Sequence, residues 1–474
     1  MSEALNREIY LLRPEELTPE TIAVTFAKTS RSPLSFREIA AELTDEKSAA
    51  FHERWVVGYG HASVAEHAVL HLALENVSRL AIECIESNRL ASYTEKSTRY
   101  QKWDNRGYYF PPEVHGGPME QIYRQTCDLL FDTYMESLAP AKEVVTRAYP
   151  RAEGESDERW DGRIRSHYVD ACRFLLPAAS LANVGMTANA RVLEHAVRKM
   201  LSHPLREVQE IGEKIKEVAQ VEIPTLVKYA DRVPYLEETK ADFSSRADAL
   251  PVEPMREMLT LVDYDPEAEL RILAAALYAS GGVSFTTAMR TVQEMDEGRQ
   301  RNLADALLGR LDRFDAPVRE LEHAVYTFDT MLDQGAYFEL KRHRMMTQTP
   351  QRLRADLGFA VPRLLVEADF EVPYRTAMKH AAEAYKQLAD WNPHVASYLV
   401  PNGFNRRVLM TLNLREVYHF CELRAEKNAH FSIRRIALRM VELIREVHPL
   451  LSAYLRLPQD AGWREIESAH FNQV

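Results

Sequence analysis

Residues 337–354 read YFELKRHRMMTQTPQRLR, a stretch in which Arg342, His343 and Arg344 stand in a row and Arg352 and Arg354 follow closely. Consecutive residues on a helix point about 100° apart, so a solvated face would use at most two of the three. A helix end or a loop can aim all three at one anion. Proline disfavours helical geometry in the residue before it, so Pro350 predicts that the helix suggested by Phe338, Leu340 and Lys341 stops near Met346 or Thr347. That places the basic cluster in the last turn, where it either meets a phosphate or complements the negative end of the helix dipole.

Upstream, residues 85–101 read IESNRLASYTEKSTRYQ, with Arg89 in the place of Arg344 and Ser92 in that of Thr347. Each copy has the same lead-in, Glu66-His67-Ala68-Val69 for the first and Glu322-His323-Ala324-Val325 for the second. His67 and His323 lie 256 residues apart, Arg89 and Arg344 lie 255 apart. Two landmarks at nearly one spacing point to an internal duplication. The polar run EETKADFSSRADALPVEP, residues 237–254, lacks periodicity and marks the expected linker between a first repeat, 1–236, and a second, 255–474.

A chain of 474 residues has room for two such domains. Its 46% hydrophobic and 27% charged residues are ordinary for a globular protein. A net charge of −11 argues against a general nucleic-acid binder, which needs clustered basic surface. Cys84, Cys127, Cys172 and Cys421 form no CxxC, so neither a metal site nor a disulfide framework is implied. With no signal-peptide pattern at the start and no apolar run of membrane-spanning length, a cytoplasmic protein is expected.

Thr18 has the position of an N-cap before a helix. YGHASVAEH gathers His61, Ser63 and Glu66 beside Gly58 and Gly60, either as a polar loop or as backbone that approaches a ligand. AVLHLALE and its counterpart AVYTFDTML are expected as strands, each followed by a helix, about 77–89 and 335–344, that delivers a basic cluster. Helical periods cover 118–148 and 156–176, and Leu205, Val208, Ile211, Ile215 and Val218 define an amphipathic helix. Asn413 and Glu416 have capping-box spacing, which puts Arg415, His419 and Arg424 on a helix. Arg424 continues an apolar stripe and must either find an anion or reach solvent. On the last helix, Arg434, Arg435 and Arg439 are expected to be solvated.

These motifs resemble the flavin-dependent thymidylate synthases, whose signature runs Arg-His-Arg, two residues, Ser, one residue, Asn-Glu, one residue, Ser, one residue, Arg. The first copy keeps Arg89, Ser92, Glu95, Ser97 and Arg99 but has Ser87, Asn88 and Thr94 elsewhere; the second keeps Arg342, His343, Arg344 and Arg354 and loses the middle to Thr349, Pro350 and Arg352. GHASVAEH, CRFLLP with Arg173, NARVLEH and NLREVYHFCELR extend the likeness, and Ser397 stands where Arg173 stands in the first repeat. The resemblance implies an α+β fold, here two tandem repeats with mixed helices packed on a small antiparallel sheet. It implies FAD held by His61, Ser63, Glu66, Arg342, His343, Arg344, Asn413, Arg415 and His419. It further implies a dUMP-like nucleotide held by Arg89, Glu95, Ser97, Arg99, Arg173 and Arg424, with Glu95 and Ser97 catalytic. NADPH and methylenetetrahydrofolate are the implied co-substrates, no metal takes part, and the family's homotetramer becomes a homodimer of tandem chains. The departures leave open a different reaction on a related pyrimidine nucleotide, or a noncatalytic binding relative.

Overall fold

The computed structural model describes residues 8–13, 15–58, 60, 62–103, 105–247, 249–251, 257–460 and 462–472. The chain forms two compact units: one comprises residues 1–96, 111–113 and 181–251, the other 97–110, 114–180 and 252–474. A large piece of the first repeat therefore folds inside the second unit.

In the first unit, β1 (Val69–Ser78), β2 (Ser92–Glu95) and β3 (Leu181–Asn189) make an antiparallel sheet in the order β1-β3-β2. In the second unit, β4 (Leu259–Tyr264), β5 (Val325–Asp333), β6 (Thr347–Pro350) and β7 (Asn405–Asn413) make one in the order β4-β5-β7-β6. The two sheets share a register. Val69 opposes Asn189 and Val325 opposes Asn413, while Ser92 opposes Thr187 and Thr347 opposes Thr411. Both lead-ins end a short 3-10 turn, Ala62–His67 and Arg319–His323.

One bulge accounts for the change of spacing from 256 to 255. β1 shifts register between Leu74 and Val77, where Asn76 adopts a φ of 56°, and β5 runs through the same region unbroken. The first repeat thus carries one extra strand residue, the ordinary content of a bulge. Beyond it, Ser78 caps the helix Arg79–Ile85 and Asp333 caps the helix Gln334–Leu340 through the same side-chain acceptor geometry.

Those two helices are shorter than the sequence suggests. The second ends at Leu340, so Arg342-His343-Arg344 lies on the turn that follows and not in a last helical turn. Pro350 closes a strand instead of stopping a helix; β6 is an edge strand, where a residue without an N–H is tolerated. The region 237–254 also differs from an aperiodic linker: a helix spans Pro234–Ala247 and buries none of its residues, which is why it leaves no apolar stripe in the sequence. Residues 248 and 252–254 of that linker lie outside the described residues.

Within the second unit, matching turns from the two repeats pair with each other. Pro177 opposes Pro401, the Ala178 amide donates to the Val400 carbonyl at 3.0 Å, and the Asn402 amide donates to the Leu176 carbonyl at 3.0 Å. Pro177 and Pro401 are separated by 224 residues, as are Asn189 and Asn413, so the same internal symmetry relates them. Among the described residues, no helix is long and apolar enough to cross a membrane.

Arg434 and Arg435 are buried, against the expectation of solvated side chains. Arg434 Nε donates to the Ala425 carbonyl at 3.0 Å and its head reaches Asp460; Arg435 pairs with Glu467 at 3.1 Å and lies 4.0 Å over the Phe471 ring. Their partners lie outside this helix, in the turn before it at Ala425 and in the C-terminal residues Asp460, Glu467 and Phe471, and helix periodicity does not register them.

Glu269, in the first turn of the helix Ala268–Ser280, is a pH-sensitive element of this unit. Burial raises its pKa to about 7, although the Leu451 amide donates to Oε1 at 2.6 Å and works the other way. A carboxyl that holds its proton more tightly folded than unfolded contributes stability below the unfolded pKa, and that contribution is lost as pH rises toward the folded one. Stability is therefore expected to fall between about pH 4.5 and pH 7, by roughly 1–3 kcal/mol after discounting for partial exposure. Glu269→Gln should remove that slope in denaturant titrations at stepped pH; an unchanged slope would assign it to other groups.

Candidate functional site

Residues of both repeats converge on one buried cluster in the second unit. From the first repeat come Thr98, Arg99, Asp170 and Arg173; from the second come Gly335, Glu339, His343 and Arg424. The helix Asp157–Cys172 presents Asp170, and the 3-10 turn after it presents Arg173. The helix Gln334–Leu340 presents Glu339, and the capped helix Leu414–Arg424 ends on Arg424.

Arg99 grips Asp170 in bidentate fashion, Nε donating to Oδ1 at 2.9 Å and Nη2 to Oδ2 at 2.8 Å. Its Nη1 donates to the Asn428 carbonyl at 2.9 Å and to Glu339 Oε1 at 3.3 Å. Glu339 Oε2 accepts from Arg424 Nη1 at 2.9 Å, so one carboxylate bridges guanidiniums of different repeats. Arg173 is 2% exposed. It donates from Nη1 to Thr98 Oγ1 at 3.0 Å and from Nη2 to the Gly335 carbonyl at 3.3 Å, while its Nε lacks a hydrogen-bond acceptor and stands 3.9 Å from Asp170 Oδ1.

Arg424 Nε donates to His343 Nε2 at 2.9 Å, which makes that nitrogen an acceptor and puts the ring proton on Nδ1. Nδ1 faces Glu416 Oε1 at 3.4 Å, and neither atom completes a hydrogen bond. Burial, with Arg424 beside it, pushes the His343 pKa well down, so the ring is neutral. Burial likewise raises the Glu416 carboxyl.

Contact by contact, three guanidiniums meet two carboxylates. Burial opposes the charge on Arg99, but Asp170 outweighs it and raises the pKa; burial lowers Arg173 and Arg424, whose acidic neighbours do not make up the loss. A bound anion would offset the burial cost that Arg173 and Arg424 carry.

Next to it opens a cleft of about 1420 Å³, lined among others by Phe314, Met345, Asn413, Arg415, His419, Leu423 and Asn428. Asn413 caps its helix by accepting from the Glu416 amide at 2.9 Å. Arg415 donates to the Pro317 carbonyl at 2.8 Å and to Glu322 at 3.0 Å, and the His419 ring lies 5.3 Å from that of His343. The cleft lining mixes apolar side chains with charged and polar ones, and Glu416, whose buried Oε1 has no hydrogen-bond partner, is among them; a heterocycle with ring N–H groups, such as a flavin, would find both stacking surface and polar partners there. Arg342 is exposed and Arg344 half-buried on the turn that brings Met345 to this cleft.

The remaining expected residues lie elsewhere. Glu95, expected to be catalytic, is enclosed in the first unit: its side chain is 1% exposed and sits 2.5 Å from Arg79, itself 3% exposed. In this structure Arg79 is its ion-pair partner. Ser97 Oγ accepts from the Arg99 amide at 3.2 Å and so borders the cluster. Arg89 and Ser63 are exposed in the first unit, where Glu66 pairs with Arg191 at 2.5 Å. That pair is the first-repeat form of Glu322 with Arg415. His61 lies outside the described residues.

Sequence reasoning missed Asp170, Glu339 and Glu416. The signal available was an acid inside an otherwise apolar helical stretch, YVDAC and AYFEL, since such an acid requires a cationic partner. What the spacing could not supply was which arginine, because Arg99 and Glu339 are 240 residues apart.

The profile of the family described as "Thymidylate synthase complementing protein" matches twice, over residues 14–225 and 260–450. A Chlamydia muridarum "UPF0159 protein" is 30% identical, with 92% of this chain and 90% of that one covered. A Geobacter sulfurreducens protein named flavin-dependent thymidylate synthase is 30% identical over 40% of this chain and 81% of its own length. A solved UMP/dUMP methylase from Streptomyces cacaoi is 20% identical, covering 41% of this chain and 93% of its own, with a TM-score of 0.33.

Proposed function

This chain belongs to the thymidylate synthase complementing protein family, and on that premise we propose that it transfers a one-carbon unit to C5 of a uridylate, dUMP in the first instance. The observation that carries the proposal is the convergence of Arg99, Arg173 and Arg424, from two repeats, on one buried cluster. A guanidinium fork matches a phosphate as it matches a carboxylate, and three of them hold a phosphomonoester in one orientation. Neutral His343 takes the Arg424 Nε–H and fixes the plane of that fork. Ser97, which holds the Arg99 amide, positions the chain at the cluster's edge.

A flavin in the adjoining cleft would lie against Asn413, Arg415 and His419, with Arg342 and Arg344 for its pyrophosphate, and would supply hydride transfer. NADPH and methylenetetrahydrofolate enter as reductant and one-carbon donor, and a homodimer of the tandem chain is the proposed assembly. A noncatalytic relative is the second reading, favoured by the fact that Asp170 and Glu339 already occupy most of the arginine donors.

The test is direct. Purified full-length protein should be yellow, lose that colour with NADPH, and convert dUMP to dTMP when methylenetetrahydrofolate is added. A colourless protein that neither takes up FAD nor turns over dUMP would leave the noncatalytic reading standing.

A further inference from the structure

We propose that Glu339 is a built-in competitor for the anion, and that a phosphomonoester dianion binds the cluster by replacing its carboxylate between Arg99 and Arg424. The inference rests on the proposed nucleotide reading and adds how occupancy of that site is controlled. Glu339 offers one oxygen to each guanidinium, Oε1 to Arg99 at 3.3 Å and Oε2 to Arg424 at 2.9 Å, which is the bridging pattern a phosphate would adopt. Asp170 differs: it takes a bidentate grip on Arg99 and stands 3.9 Å from Arg173 Nε, both arginines of the first repeat, so it does not bridge the two repeats.

Charge favours the exchange. A dianion in place of that carboxylate brings two negative charges to Arg99 and Arg424 where Glu339 brings one. Access favours it as well, because the Asn428 carbonyl, which accepts from Arg99, belongs to a residue of the cleft wall. The fold does not call for an acid here. At the equivalent point of the first repeat, 255 residues earlier, the matching helix Arg79–Ile85 carries Cys84.

The experiment measures inorganic phosphate binding to the full chain by calorimetry, for the unaltered protein, Glu339→Gln and Glu339→Cys. Both variants should bind phosphate roughly ten- to hundred-fold more tightly, the range expected when a competing charge-assisted contact is removed. Folded variants with unchanged or weaker phosphate affinity would overturn the proposal. So would failure of both variants to fold, since the carboxylate would then be a structural requirement; Glu339→Cys guards against a defect peculiar to glutamine. dUMP turnover by the unaltered chain separates this inference from the functional reading. Turnover without tighter phosphate binding in the variants sinks the inference alone, whereas tighter binding without turnover sinks the enzyme reading and leaves the competitor in place.

Discussion

Arg99→Met is expected to destabilise the second compact unit by about 3–5 kcal/mol, the typical cost of removing one partner from a buried ion pair. The loss is large because Asp170 would keep its charge without the bidentate partner, and Glu339 would be left with Arg424 alone. An exposed pair sets the contrast. Arg106 meets Asp132 at 2.6 Å with both side chains well exposed, so Arg106→Met should change stability by roughly 1 kcal/mol or less. Denaturant unfolding of the two variants side by side checks this, read at the transition of the second unit. Equal, small losses would mean that solvent reaches the cluster far more than its burial indicates.

The second large effect is expected in the first unit. Arg79→Met strands the Glu95 carboxylate, and about 3–5 kcal/mol should again be lost. Arg79→Met combined with Glu95→Met should recover most of it, because a buried pair replaced as a whole by apolar groups is often neutral. The second repeat has Gln334 and Pro350 at the corresponding positions, so both members of this pair are replaced there together. Gln334 Oε1 instead accepts from Arg406 Nη1 at 3.1 Å, a guanidinium delivered by β7 to a neighbouring place. A double variant no better than the single one would show that Glu95 has a role beyond answering Arg79, and would reopen its assignment to substrate.

These two pairs mark the limit of what could be read from the chain alone. Local order was legible because its causes are local: Asn413 caps a helix three residues before Glu416, and alternating residues in AVYTFDTML form β5. Even the bulge at Asn76 was present as a one-residue slip between landmarks. The basic row at 342–344 was visible, but the fold divides its labour. His343 turns inward as a neutral acceptor for Arg424, while Arg342 stays exposed. Nor could motif spacing reveal that Glu95 and Ser97, two residues apart, belong to different compact units. Each such outcome depends on partners brought together by tertiary structure, where burial decides whether a carboxylate is a ligand-holding group or half of a closed pair.

The central claim is that one anion site is built from both repeats, and calorimetric binding of dUMP to the full chain tests it most directly. The account expects binding that inorganic phosphate competes away, weakened roughly tenfold or more by Arg173→Lys in the first repeat and, equally, by Arg424→Lys in the second, since an ammonium cannot reproduce the planar fork. Undiminished dUMP affinity in folded Arg424→Lys protein would contradict it, because the second repeat would then contribute nothing to the site.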